Sequence, residues 1–117
     1  MQLSEINFAT ATPIDGYGPG FFRVGGQVIR GAALVTETGA RGWGGYDDAE
    51  TLLAVAGEVD VIFVGTGALI APIPSALRGT LEEAGLGVEI MATDAACRTY
   101  NVLLSEGRRV AAALIPV

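Results

Sequence analysis

Histidine and lysine are absent from this 117-residue chain, and cysteine occurs once. Without histidine there is no Ser-His-Asp triad and no imidazole to hold a metal. Without lysine there is no Schiff base and no P-loop amine. A lone cysteine, Cys97, forms neither an intrachain disulfide nor a thiolate zinc cage. No metal and no cofactor is expected. Charge is scarce too: charged residues make up 17% of the chain, every basic one is arginine, and the formal net charge is −6. No basic run exceeds Arg108-Arg109, so the basic patch that nucleic acid requires is missing. The longest uncharged stretch, Val61 to Leu77, is broken by Gly65, Gly67, Pro72 and Pro74, which argues against a membrane span. The opening MQLSEINFAT has no basic leader and carries Glu5, unlike a targeting peptide, and the expected location is the cytoplasm.

Apolar residues, by contrast, make up 50% of the chain, and the mean hydropathy is +0.47. That balance is the opposite of a disordered chain and suits one packed domain over residues 1–117. In the first half glycines punctuate short apolar runs. Glu5 to Ala9 suggests a strand, Asp15 to Gly20 a loop, and Phe21–Val24 with Val28–Val35 around Gly25-Gly26-Gln27 a β-hairpin. Gly39 to Tyr46 reads as a further loop, carrying the single tryptophan, Trp43.

The second half alternates helix and strand. Asp47 with Glu50 resembles a capping box for a helix that Gly57 ends. Val59–Val64 is a short run of mainly β-branched apolar residues, interrupted by Asp60, and is expected as a central strand buried on both faces. Pro74-Ser75 opens a helix that Gly85 closes; Val88–Met91 is a strand. Thr93 is placed to cap a helix over about Asp94–Glu106, and Arg109–Ile115 makes the last strand. Such alternation predicts an α/β fold with a mixed, partly parallel sheet covered by helices.

Two places could carry chemistry. Gly65-Thr66-Gly67 follows a strand, where α/β sheets bind ligands and where glycine lets backbone approach closely. Ile70 stands where a dinucleotide fingerprint has its third glycine, so a plain tight turn is the competing reading. On the third helix, Asp94, Arg98, Asn101 and Ser105 share one face. They form either a solvated stripe with one ion pair or the wall of a polar groove, where Arg98 and Asn101 hold a carboxylate or carbonyl. Cys97 has no histidine to activate it and is expected to be buried. Trp43 either plugs the core or anchors a partner.

The run Ala95-Ala96-Cys97-Arg98-Thr99-Tyr100-Asn101-Val102-Leu103-Leu104-Ser105-Glu106-Gly107-Arg108, with Phe22, Val24, Gly31, Trp43, Gly65-Thr66-Gly67 and the ending Val110 to Pro116, is similar to a small domain family. That family includes mitochondrial respiratory complex I assembly factor three, an adipogenesis-associated cytosolic protein and many bacterial single-domain members. The resemblance implies a three-layer α/β arrangement around a central mixed sheet, with an additional N-terminal β-hairpin layer. It supplies no catalytic set. Ala92 departs from the Asp that bacterial members tend to have before Thr93, and Ala32 from a Ser. The function implied is a non-enzymatic protein-binding module, an accessory or assembly factor for respiratory complex I. Its binding surface would draw on Gly65, Thr66, Gly67, Asp94, Arg98, Asn101 and Trp43, with self-association left open. The alternative is a small-molecule-binding protein or weak enzyme using the Gly65–Gly67 loop and the Arg98/Asn101 face.

Overall fold

Alternation along the apolar strands sets the layering, because successive side chains of a strand point to opposite faces. Ile62, Val64, Ala111, Ala113 and Leu34 enter one buried cluster; Phe63, Val110, Ala112, Leu114, Ala33 and Val35 enter another. The sheet that carries them is therefore buried on both sides. The structure is a computed structural model that describes residues 11–117. The strand expected at Glu5–Ala9 lies outside the described residues.

In chain order the elements are β1 (Ile14–Gly18), β2 (Phe21–Val24), β3 (Gln27–Arg30), β4 (Ala33–Thr36), β5 (Gly39–Gly42), α1 (Ala49–Leu53), β6 (Val61–Thr66), α2 (Ser75–Glu83), β7 (Gly87–Met91), α3 (Thr93–Ser105) and β8 (Val110–Ile115). Strands β1-β2-β3 form a small antiparallel sheet. The larger sheet runs β5-β4-β8-β6-β7; β6 is parallel to β7 and β8, and β4 is antiparallel to β5 and β8. Helices α1 and α2 cover one face, through Leu52, Leu77 and Leu81. Helix α3 covers the other with Ala96, Cys97, Tyr100 and Leu104, and Ile14, Phe22, Val24 and Ile29 of the small sheet join the same cluster. The mixed α/β architecture with a separate β layer is as expected, and β6 is an interior strand with Ile62, Phe63 and Val64 buried.

Several local expectations are corrected. The stretch Asp15–Gly20 is not all loop, since Ile14–Gly18 pairs with β2; the partner strand supplies order that three glycines and a proline conceal. The hairpin turn is Gly25-Gly26, with φ of 58° and 80°, the left-handed geometry a two-residue turn needs. Its second arm does not run to Val35. The chain breaks at Gly31 (φ 82°) and Ala33–Thr36 joins the larger sheet. Gly39–Gly42 is a strand rather than loop, held by β4. The first helix is capped by Asp48, not Asp47: its carboxylate accepts from the Thr51 N–H at 3.1 Å. That helix is short, ending at Leu53. The strand expected at Val59 starts at Val61 and reaches Thr66. The third helix has Ala92 at its N-cap with no side-chain capping bond, and Thr93 begins the helix.

Candidate functional site

Strand β6 leads through α2 to β7 on one face of the sheet, and β7 leads through α3 to β8 on the other. The two connections therefore leave the carboxyl ends of adjacent parallel strands in opposite directions. This switch point is where α/β sheets open a ligand crevice, and Gly65-Thr66-Gly67 stands at it.

The crevice is filled by the chain itself. Thr93, fully buried, donates its hydroxyl to the Ile115 carbonyl at 2.6 Å and accepts the Gly67 N–H at 2.8 Å. Its own N–H donates to the Gly67 carbonyl at 2.9 Å. One threonine thus ties the ends of β6 and β8 to the start of α3. Gly65 is required by this closeness: a Cβ there would sit 2.8 Å from Thr93 Oγ1 and 2.9 Å from Thr93 Cα. Gly67 has φ 101°, a left-handed conformation that favours glycine. The Thr66 hydroxyl donates to the Leu69 carbonyl at 2.8 Å and accepts from the Ala71 N–H at 3.0 Å, which folds the following loop back on itself.

The four residues of the helix stripe are engaged in different ways. Asn101 is engaged by the small sheet: its Oδ1 accepts from the Ile14 N–H at 2.9 Å and its Nδ2 donates to the Ile14 carbonyl at 2.8 Å. Both halves of the amide serve as a clip between α3 and β1. Arg98 is exposed and, among the described residues, reaches only Asp94, at 3.5 Å; such a pair is worth well under about 1 kcal/mol. Ser105 donates to the Val102 carbonyl within its own helix. Beside Arg98 lies a shallow hollow lined by Thr99, Val102 and Leu103.

Cys97 is buried, and desolvation pushes its thiol up to about 12; Asp94 adds to the shift and Arg98 opposes it. A thiol so placed is a poor nucleophile. Trp43 is buried in the α1/α2 cluster; its indole N–H donates to the Asp48 carbonyl at 2.9 Å and its ring meets Tyr46 edge-on, centroids 6.0 Å apart. It plugs the core. Asp48 organises that corner, and the bonds it accepts, from the Thr51 hydroxyl first and then the Gly44 and Thr51 N–H groups, hold its carboxyl below the usual range.

Sequence reasoning missed two features. One is Thr93 as the loop's buried partner, hidden because threonine before a helix reads as a cap. The other is the surface above the closed crevice. From Ala68 to Pro72 every residue is exposed and uncharged, with Leu69 at 79% and Ile70 at 66% exposure. The signal was available: an apolar pair between glycine and proline has little chance to bury itself.

The chain is thus a mixed α/β domain whose switch-point crevice is closed from within. The family described as "Protein of unknown function (DUF498/DUF598)" matches residues 14–115, and the chain belongs to it. It is 54% identical over its whole length to an uncharacterised protein of Rhodobacter capsulatus, covering 94% of that protein. It is 32% identical to NADH dehydrogenase [ubiquinone] 1 alpha subcomplex assembly factor 3 of Danio rerio, over 99% of this chain and 71% of that one. A crystal structure described as an outer membrane protein from Bartonella henselae superposes with a TM-score of 0.80 at 36% identity, over 93% of this chain and 98% of that one. Among the described residues no helix is long and apolar enough to cross a membrane.

Proposed function

We propose that this chain is a protein-docking module that assists assembly of respiratory complex I, and that its contact surface is the exposed loop after β6. The observation that carries the reading is the pairing of a closed crevice with Leu69 and Ile70 held outside it. Solvent-facing apolar side chains on an anchored loop lower the free energy of association when a partner covers them. The loop is pre-ordered by the Thr66 bonds to Leu69 and Ala71, so little conformational entropy is lost on docking. Pro72 and Pro74 lack N–H donors, which reduces the polar backbone a partner must satisfy. The similarity to a complex I assembly factor supports the choice of partner.

The small-molecule reading needs free polar groups at Gly65–Gly67 and on the Arg98/Asn101 face. The Gly67 N–H and carbonyl and the Asn101 amide are each engaged within the chain. The docking reading is therefore the one we adopt, with a cytoplasmic setting and complex I subunits as partners.

The test is affinity capture from a bacterial extract that makes complex I, with the parent chain and a Leu69→Glu/Ile70→Glu variant as baits. Complex I subunits should be enriched on the parent and lost on the variant, with both baits equally stable. Equal enrichment on both baits, or no complex I subunit on the parent, overturns the proposal.

A further inference from the structure

The small sheet has one face in the core and one in solvent. Phe22 and Ile29 pair across β2 and β3 and are buried, so the positions on either side of them point outward. Residues directly opposite share a face, and the register sets the outward positions in two cross-strand rows. One row is Gly16, Arg23 and Val28; the other is Gly18, Phe21 and Arg30. Arg23 and Arg30 are exposed, and Val28 keeps 44% of its surface in solvent. The Phe21 ring lies across Gly18, where an added Cβ would sit 2.6 Å from it. Over Gly16, beside Arg23, a Cβ would meet nothing within 4 Å, so that corner of the face is open.

Charge sets this face apart. The chain has a net charge of −6, yet these outward positions carry two cations and no acid. Neither Arg23 nor Arg30 pairs with a carboxylate among the described residues. Asp15, at the irregular register beside Gly16, accepts instead from the Gly26 N–H at 3.3 Å. Arg23 lies opposite Val28, two positions from Arg30 on β3. The two arginines are thus diagonal neighbours on adjacent strands, about 7 Å apart at Cβ.

We propose that this face docks an acidic, extended segment of a partner protein whose carboxylates stand two residues apart. Such residues point to the same side of a strand and lie about 7 Å apart. Each can meet one guanidinium, whose planar fork suits a carboxylate. Phe21 and Val28 occupy the other diagonal, where the methylene stems of the acidic side chains can cover apolar surface. A second copy docking face to face would set arginine against arginine, an apposition of like charges that disfavours that occupant. The inference does not depend on the Leu69/Ile70 loop.

The experiment is an NMR titration of the 15N-labelled full chain with three acetylated, amidated peptides: Thr-Glu-Thr-Glu-Thr, Thr-Gln-Thr-Gln-Thr and Thr-Glu-Glu-Thr-Thr. The first should give saturable shifts of the β2 and β3 amides, with a dissociation constant of about 1 mM. The glutamine peptide should bind about tenfold more weakly. The peptide with adjacent glutamates, whose carboxylates point to opposite sides, should lose about threefold, and so should the first peptide on Arg23→Ala or Arg30→Ala. The Leu69→Glu/Ile70→Glu variant should bind it like the parent, which keeps this test separate from that of the loop. Absence of saturable shifts, equal binding of the glutamine peptide, or unchanged affinity in both arginine variants overturns the proposal. So does cosedimentation with phosphatidylglycerol vesicles that Arg23→Ala and Arg30→Ala abolish, which would assign the face to a lipid surface.

Discussion

The two ends of the parallel strands are built on opposite plans. At the carboxyl end the polar groups around Gly65–Gly67 meet one another through Thr93, and apolar side chains are left outside. At the amino end Leu34 and Val55 are buried in the core, and polar groups from β3, β5 and the turn after α1 line an open cleft of about 390 Å³. The strands are the same, so the contrast comes from their connections. A buried threonine between two strand ends and a helix start closes the crevice that topology would open; a helix of five residues is too short to cover two strands. A strand-end position therefore shows where a crevice can form, and the hydrogen-bonding capacity of the chain around it shows whether space remains.

The strongest way to break this contrast is Gly65→Ala. The added methyl meets Thr93 backbone at 2.9 Å, so β6 and α3 must separate; we expect a loss of about 3–4 kcal/mol in urea unfolding. Thr93→Val comes next. It keeps the shape but leaves the Gly67 N–H and the Ile115 carbonyl without their partner, at a cost of about 2–3 kcal/mol. Faster hydrogen exchange at Gly67 in that variant would locate the opening there; an unchanged midpoint would show that the hydroxyl does not close the crevice.

Asn101→Ala tests the clip to the small sheet rather than the crevice. Two lost bonds to Ile14 should cost about 2 kcal/mol, with exchange quickening in β1 to β3 more than in β6 to β8. Uniform quickening would show that the two sheets open together.

Cys97 offers a milder probe of how well α3 stays docked. Its folded pKa is raised from an ordinary 9.0 to about 12, so the unfolded chain releases the proton first. The stability this contributes is full below pH 9 and is lost as pH rises toward 12. Stability measured against pH should fall more steeply over that range in the parent than in Cys97→Ala; parallel curves would mean that the thiol is not desolvated.

The smallest effect is expected at the open end. Arg41→Ala and Glu58→Gln remove exposed charges that pair with no other charge among the described residues and should each change stability by no more than about 0.5 kcal/mol. A larger loss in either would mean that the cleft's charges support the fold, and the contrast between the ends would weaken.

Much of the fold was legible in the sequence. The run expected at Val59–Val64 reads as an interior strand because every position but Asp60 is apolar, and helix α3 reads from its spacing: Ala96, Cys97, Tyr100 and Leu104 are buried together. Gly85 and Gly107 follow α2 and α3 with φ of 88° and 80°, as C-terminal glycines should. The first half was harder to read. In β1 (Ile14–Gly18) and β5 (Gly39–Gly42) four of the residues, Gly16, Gly18, Gly39 and Gly42, are glycine, so a loop looks equally natural, and only pairing with β2 and β4 makes them strands.

The sequence by itself determined the exclusions, the periodicities and the family, because these depend on which side chains exist and in what order. Tertiary structure alone decided what each polar side chain is used for. Asn101 and Arg98 lie three residues apart on one helix, yet one is bound to the backbone of a strand 87 positions away and the other faces solvent. Thr93 looks like a helix cap and is instead buried between two strand ends. A polar group's role is fixed by which unpaired donor or acceptor comes within about 3 Å of it, and that distance is set by how distant segments pack.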